Sequence, residues 1–319
     1  MSFPANFRSA AALALIAAFA ASISEAAAPM VKTQAPGFYR MMLGDFEVTA
    51  LSDGTVALPM VKLLNEKAAD SEKALAKAYL KEPFDTSVNA YLVNTGTKLV
   101  LIDTGAAGLF GPTLGKLQAN LKAAGYASEQ IDEVYITHMH GDHIGGLMAG
   151  DKLAFPNAIV RADQHDADYW LSQAKMDAAP AEGKGGFQGA MASINPYVKA
   201  GKFKPFEGDT ELVPGVRAKV SHGHTPGHSF YVVESKGQKL VLWGDLMHVA
   251  SVQFPNPAVT IQFDSDNKAA AKQRIAAYAE AAKEGYWVGV AHISFPGIGH
   301  LRANGKSYDW VPVNYAAQP

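Results

Sequence analysis

The stretch "YITHMHGDHIGGL", Tyr135–Leu147, decides how this chain is read. It puts His138, His140, Asp142 and His143 within six residues, in a chain with 10 histidines among 319 residues. The segment leading into it, "DEVYIT" (Asp132–Thr137), is short and apolar, the pattern of a buried strand. In extended backbone, residues two apart point the same way, so His138 and His140 can reach one common position. Asp142 and His143 come after the turn at Gly141 and are re-aimed, toward a second position beside the first. Gly145 and Gly146 let the following segment pass close by, without side-chain bulk. Four such polar groups packed together leave uncompensated buried charge unless a cation joins them.

Four side chains do not fill two metal positions, so further ligands are expected downstream. "SHGHTPGHS" (Ser221–Ser229) carries His222, His224 and His228. "LVLWGD" ends in Asp245, and "VGVAHISF" puts His292 directly after a buried strand pattern. Every histidine lies after residue 137, and these candidates sit at strand ends or in adjoining loops, where α/β architectures gather their ligands. His165, His222 and His300 read as hydrogen-bonded core histidines. The chain has no cysteine, so disulfides and thiolate ligands are excluded. A site of imidazoles and carboxylates suits zinc, manganese, cobalt or iron.

Working outward, strand and helix patterns alternate, which points to the α/β class. "FEVTALSDG", "VNAYLVN", "KLVLIDTG", "GVRAKVS", "FYVVES" and "KLVLWGD" read as strands. Phe110–Gly125 has helical spacing and a glycine stop. "NKAAAKQRIAAYAEAAKEG" reads as a helix with Asn267 or Asp266 as N-cap and Gly285 as stop. "APAEGKGGFQG" (Ala179–Gly189) is the most loop-like stretch and reads as an insertion within one domain. Ala90–Asp103 and Phe230–Asp245 echo each other, each a hairpin ending in an acidic residue. They point to two similar halves that share a central cleft.

Lysine plus arginine number 28 and aspartate plus glutamate 30, with no basic block, so nucleic acid is not an expected partner. The N-terminus has one basic residue, Arg8, then an apolar run from Ala10 to Ala21 and small residues. That is the layout of a secretory signal peptide over residues 1–28, cleaved between Ala26 and Ala28. The run is short of the ~20 residues of a membrane span. The expected product is a single domain over 29–319, periplasmic or secreted, with no stable membrane span.

The H-x-H-x-D-H motif, the later H-T-P-G-H, the aspartate ending an L-x-G-D strand and the late histidine resemble the metallo-β-lactamase superfamily. "NTGTKLVLIDTGAAGLFGPTLG", "YITHMHGDH" and "AHISFPGIGH" resemble its methyl parathion hydrolase branch and the related lactone- and aryl-ester-hydrolysing enzymes. Gly141 departs from that branch, where a proline is expected. The resemblance implies a four-layer αβ/βα sandwich with two divalent metal ions in the cleft, zinc first among the candidates. It gives His138, His140 and His224 to one ion, Asp142, His143 and His292 to the other, and Asp245 to both. His228 then supports a ligand or its loop, and Asp103 either orients a ligand histidine or caps the turn at "DTGAAG". Phe110, Trp170 and Phe187 would wall the substrate pocket, with Phe187 in a glycine-rich loop over the cleft. His248, three residues after Asp245, would narrow or polarise its mouth. A homodimer is also implied.

Such a pair of ions would share a hydroxide, held beside Asp142 and Asp245, that attacks a carbonyl carbon or phosphorus. No general acid is evident, so good leaving groups are favoured. The expected substrates are small and uncharged: organophosphate triesters, lactones or aryl esters. An acyl-homoserine lactonase is the alternative, and a mononuclear iron oxygenase of the same fold a more distant one.

Overall fold

The structure is a computed structural model that describes residues 28–316. The leader reading, with its cleavage point, falls almost wholly outside the described residues. Pro36–Pro319 form one compact unit.

Two sheets make its centre. The first runs β1 (Phe38–Leu43), β2 (Phe46–Leu58), β3 (Phe84–Asn94), β4 (Leu99–Ile102), β5 (Glu133–Tyr135) and β6 (Ile159–Arg161), paired in that order. The second contains β7 (Thr210–Val213), β8 (Val216–Val220), β9 (Ser229–Ser235), β10 (Gln238–Leu242), β11 (Trp287–Gly289), β12 (Ile298–Asn304) and β13 (Ser307–Pro312). These also pair in sequence order.

Period-2 alternation sorts the side chains into layers. Tyr91, Val93, Val100 and Ile102 face the second sheet and meet Tyr231, Val233, Leu240 and Leu242 in the inter-sheet core. Their neighbours Ala90, Leu92, Leu99 and Leu101 face outward onto the helices Leu117–Ala123 and Lys184–Lys199. On the other side Phe230, Val232, Val241 and Trp243 pack against the helix Asn267–Glu284. The order helix, sheet, sheet, helix is the sandwich that the motifs imply.

The echoed hairpins occupy matching places. Tyr91 pairs with Ile102 in one sheet, and Tyr231 with Leu242 in the other. Each hairpin's second strand then pairs in parallel with the next strand, β4 with β5 and β10 with β11. Asp103 and the His138 cluster therefore leave one sheet where Asp245 and His292 leave the other.

The C-terminal helix starts at Asn267, with the Asp266 carboxylate accepting from Ala269 N–H, and ends at Gly285 in the left-handed region (φ 69°). Two expectations need correction. The helix over Phe110–Gly125 begins only at Leu117, because Gly111 and Gly115 take positive φ and keep the preceding segment irregular. The supposed loop Ala179–Gly189 enters the helix Lys184–Lys199. Three buried positions one and two turns apart, Phe187, Ala190 and Ile194, outweigh its glycines. Among the described residues no helix is long and apolar enough to cross a membrane.

Candidate metal centre

The site lies where β4, β5, β10 and β11 run out and the loop between β8 and β9 returns. His138 and His140 follow β5, and Asp142 and His143 stand on the single turn Gly141–Ile144. That turn packs tightly against the segment after β4. A Cβ on Gly146 would sit 1.9 Å from the Thr104 carbonyl oxygen, and one on Gly145 2.2 Å from that of Ala106. Only glycine permits this approach, as the spacing anticipates. Thr104 N–H donates to the His143 carbonyl at 2.8 Å and closes the same contact.

The other six expected side chains gather around Asp245, whose own side chain is 3% exposed. Its Oδ2 lies 3.5 Å from His138 Nε2 and 3.3 Å from His224 Nε2. Its Oδ1 lies 3.1 Å from His143 Nε2 and 3.0 Å from His292 Nε2. Asp142 Oδ2 is 3.5 Å from His143 Nε2 and 3.4 Å from His292 Nε2. His140 Nδ1 is 3.1 Å from His224 Nε2. Two donor sets result, one of His138, His140, His224 and Asp245, the other of Asp142, His143 and His292. Asp245 lies between the two sets: Oδ1 faces His143 and His292, and Oδ2 faces His138 and His224 with His292 also 3.1 Å away.

The donors fit cations. His138 Nε2, His143 Nε2 and Asp245 Oδ1 are buried and make no hydrogen bond, although ring nitrogen and carboxylate oxygen approach within 3.1 Å. Lone pairs buried this way are costly without a shared electrophile. In the metal-free protein the electrostatics are correspondingly divided. Burial and the neighbouring imidazoles push His138 well below its ordinary value and His140 down to about 3. Burial opposes charge on His143, His224 and His292 as well, but the carboxylates around them prevail and raise all three, His224 to about 9. Asp245, despite burial, is held well below the carboxylate range by His143, His292, His138 and His248.

For His143, His224 and His292 the inward-facing nitrogen is set by a partner on the ring's other side. His143 Nδ1 meets Asp103 Oδ2 at 2.8 Å, His224 Nδ1 meets Asp264 Oδ1 at 2.9 Å, and His292 Nδ1 meets the Ser87 carbonyl at 2.8 Å. His228 stands outside the donor sets. Its Nδ1 faces the Ser221 carbonyl at 3.1 Å, and its Nε2 accepts from Asp245 N–H at 3.1 Å. Burial, with His224 beside it, lowers it to about 3, so it is neutral. Of the two expectations for Asp103, orientation prevails: the turn amides of Ala106 and Gly115 go to Asp53 instead.

Three supporting residues carry no signal in the sequence, being single polar residues without motif spacing. Asp264 holds His224. Asp166 accepts from Met139 N–H (2.8 Å), Thr225 Oγ1 (3.0 Å) and Gly227 N–H (2.6 Å), so it ties the two histidine loops together. Arg274, fully buried, donates to the carbonyls of Leu246, Pro257 and Val259 and anchors the segment after Asp245.

Around the mouth, Trp170 lies edge-on to His140 at 5.4 Å and packs on Phe187 at 4.9 Å. Phe187 is 3% exposed, so it supports Trp170 from within the helix and does not cover the cleft as a loop residue. Phe110 is half exposed beside Gly141, where a Cβ would come within 2.9 Å of its ring. His248 is buried, with Nε2 3.2 Å from Asp245 Oδ2 and its ring stacked on His292 at 5.0 Å. The reading of His165, His222 and His300 as core histidines is corrected: none of the three is buried.

The model of the metallo-β-lactamase superfamily matches residues 83–286, more than half the chain. The chain belongs to this superfamily. Its centre is that of a metallohydrolase. An N-acyl homoserine lactonase from Bacillus sp is 28% identical over 204 residues, which cover 58% of this chain and 73% of the relative. The N-acyl homoserine lactonase of Bacillus cereus is 30% identical over 171 residues, 60% of its length. Among solved structures, the superfamily hydrolase AbOPH is 35% identical with a TM-score of 0.85, over 89% of this chain and all of that one. AidC, a dizinc quorum-quenching lactonase solved with the product N-hexanoyl-L-homoserine, is 26% identical with a TM-score of 0.80, over 88% of this chain and 99% of that one.

Proposed function

We propose that this protein is a two-metal lactonase that opens N-acyl homoserine lactones and related lactones, with aryl esters and organophosphate triesters as further substrates of the same site. The observation that carries the reading is the position of Asp245, whose carboxylate lies between two histidine sets and within 3.0–3.5 Å of ring nitrogens from both. The likeness to lactonases over most of the chain supports the choice of substrate class.

In this reading His138, His140 and His224 hold one ion, Asp142, His143 and His292 the other, and Asp245 spaces them. Zinc is the expected metal, since all donors are imidazole nitrogen or carboxylate oxygen and AidC is a dizinc enzyme. Such a pair supplies Lewis acidity and brings the pKa of water toward neutrality. The chain does the rest. Asp103, Asp264 and the Ser87 carbonyl fix the rings of His143, His224 and His292 so that Nε2 faces inward at each. Asp166 keeps the two histidine loops in register. Asp142, the only partly open carboxylate of the centre (21%), meets the substrate side. Phe110 and Trp170 give an uncharged substrate an apolar wall, and no arginine among those described touches the centre to hold a dianionic phosphate. The proposal includes export by the N-terminal leader, and a homodimer.

The test is metal analysis of the purified protein, paired with a panel of acyl-homoserine lactones, simple lactones, nitrophenyl esters and a methyl-parathion-type triester. Two equivalents of metal and kcat/KM highest on lactones are expected. A preparation holding two equivalents that leaves every lactone intact would overturn the reading.

A further inference from the structure

Outside the centre, a second group of metal-ligating side chains converges, and it shares no residue with the first. We propose that Asp163, His165 and His222 form an additional site for one late first-row transition cation, with zinc as the probe. His165 Nδ1 lies 2.9 Å from Asp163 Oδ1, and His222 Nε2 lies 3.3 Å from Asp163 Oδ2. The two rings stand 4.7 Å apart at 54°. An ion with bonds of about 2.0–2.1 Å in a tetrahedral shell puts its donors about 3.3 Å apart. Each ring nitrogen is at or just inside that spacing from one oxygen of Asp163, and one donor atom from each of the three side chains lies within 4.8 Å of the others, so small side-chain rotations bring three donors onto one ion.

The setting suits entry and capture. The Asp163 side chain is fully buried, whereas those of His165 and His222 are 52% and 30% exposed. The carboxylate is already oriented, because its Oδ1 accepts the His165 N–H at 2.7 Å as the N-cap of the helix Gln164–Trp170. That bond survives metal binding, since a carboxylate oxygen has lone pairs for both. Two imidazoles and one carboxylate select zinc, copper or nickel over magnesium or calcium.

The placement gives the site a consequence. Asp163 opens the helix that carries Asp166 and Trp170, and His222 precedes His224 in the loop Ser221–Ser229. A cation here joins two segments that otherwise meet through Asp166 and through the close pass of Gly227 against Asp163 (a Cβ there would stand 3.0 Å from Oδ1). Occupancy would therefore stiffen the ligand loop from its outer side.

The experiment counts metal in full-length protein. Wild type, His165→Ala and His222→Ala are dialysed against excess zinc, freed of unbound ion and assayed for zinc per chain. Each variant is expected to hold one equivalent less than wild type. His165→Ala should keep its hydrolytic kcat/KM within twofold, which shows the centre intact. Excess zinc should raise the melting temperature of wild type more than that of His165→Ala. Equal zinc counts in wild type and His165→Ala would overturn the proposal, whatever the number bound at the centre.

Discussion

Asp103 Oδ2 and His143 Nδ1 lie 2.8 Å apart, both buried, and this contact decides which ring nitrogen of His143 faces the centre. The carboxylate is held from its other side by Thr137, whose N–H donates to Oδ1 and whose hydroxyl donates to Oδ2, each at 2.8 Å. An ionised carboxylate has only acceptors to offer, so Nδ1 must carry a proton and Nε2 is the nitrogen that can give its lone pair to a metal. An asparagine there cannot satisfy both neighbours. Its amide nitrogen must face either His143 Nδ1, which favours the wrong tautomer, or the Thr137 N–H. Asp103→Asn is expected to weaken metal binding by about 10–100-fold, the usual cost of losing such a partner. Competition against a chromophoric chelator measures it, and an unchanged affinity would show that the pair does not set the tautomer.

His224 and His228 both belong to H-T-P-G-H and sit only four residues apart, yet their surroundings assign them different work. His224 Nε2 faces Asp245 and His140, while both nitrogens of His228 are taken by backbone groups. His224→Ala should lose metal and hydrolysis together. His228→Ala should retain metal while losing stability, because the Asp245 N–H is left buried without an acceptor, at about 1–3 kcal/mol. Metal counts and thermal melts on the two variants separate the roles. Metal loss confined to His228→Ala would mean the wrong histidine has been assigned.

Removing the metals should make the protein pH-sensitive in a defined direction. In the metal-free state His224 is raised to about 9 and His143 and His292 are raised as well. A raised pKa gives stability that is fully present below the unfolded value near 6.5 and is lost as pH rises through the folded value. The metal-free protein is therefore expected to lose melting temperature between pH 7 and 9, while the metal-loaded protein, with those protons displaced, changes little. Binding must release protons over the same range, so apparent metal affinity should climb toward pH 9. Melting curves at several pH values, with and without chelator, check the sign. A metal-free protein that gains stability as pH rises from 7 to 9 would contradict it.

How much of this was legible beforehand differs by kind of residue. His138, His140, Asp142 and His143 announce themselves because strand period and turn put them on neighbouring positions, and they need no tertiary knowledge. The layers follow from period-2 alternation in segments such as Ala90–Val93 and Leu240–Trp243. Asp166, Asp264 and Arg274 were illegible because their roles depend on which loops meet, and single polar residues leave no period. Phe187 was misplaced for a related reason. Four glycines in Ala179–Gly189 read as a loop on local propensity, but packing of Ala190 and Ile194 against the first sheet, and of Phe187 on Tyr169 and Trp170, makes a helix. His165 and His222 were read as core because their shared partner, Asp163, lies 59 residues from His222 and cannot be paired with it by inspection.

His248 offers the sharpest question about substrate choice. It stands in the wall of the centre, with Nε2 3.2 Å from Asp245 Oδ2, its ring stacked on His292 and the half-open Phe263 ring 5.8 Å away. Burial lowers it to about 4, so it is neutral at working pH, and neither ring nitrogen makes a hydrogen bond. Both its nitrogens are buried, so His248 acts on a substrate through the volume and stiffness it gives the wall behind His292 and Phe263. A flat lactone tolerates a rigid wall better than a bulky tetrahedral triester does. Replacing His248 with leucine leaves a more adaptable apolar wall. His248→Leu is therefore expected to raise kcat/KM for a methyl-parathion-type triester relative to that for an acyl-homoserine lactone, by about tenfold for a change of about 1.4 kcal/mol. The ratio of the two constants in wild type and variant decides the matter. If it does not move while metal content stays constant, His248 does not discriminate between the two substrate shapes.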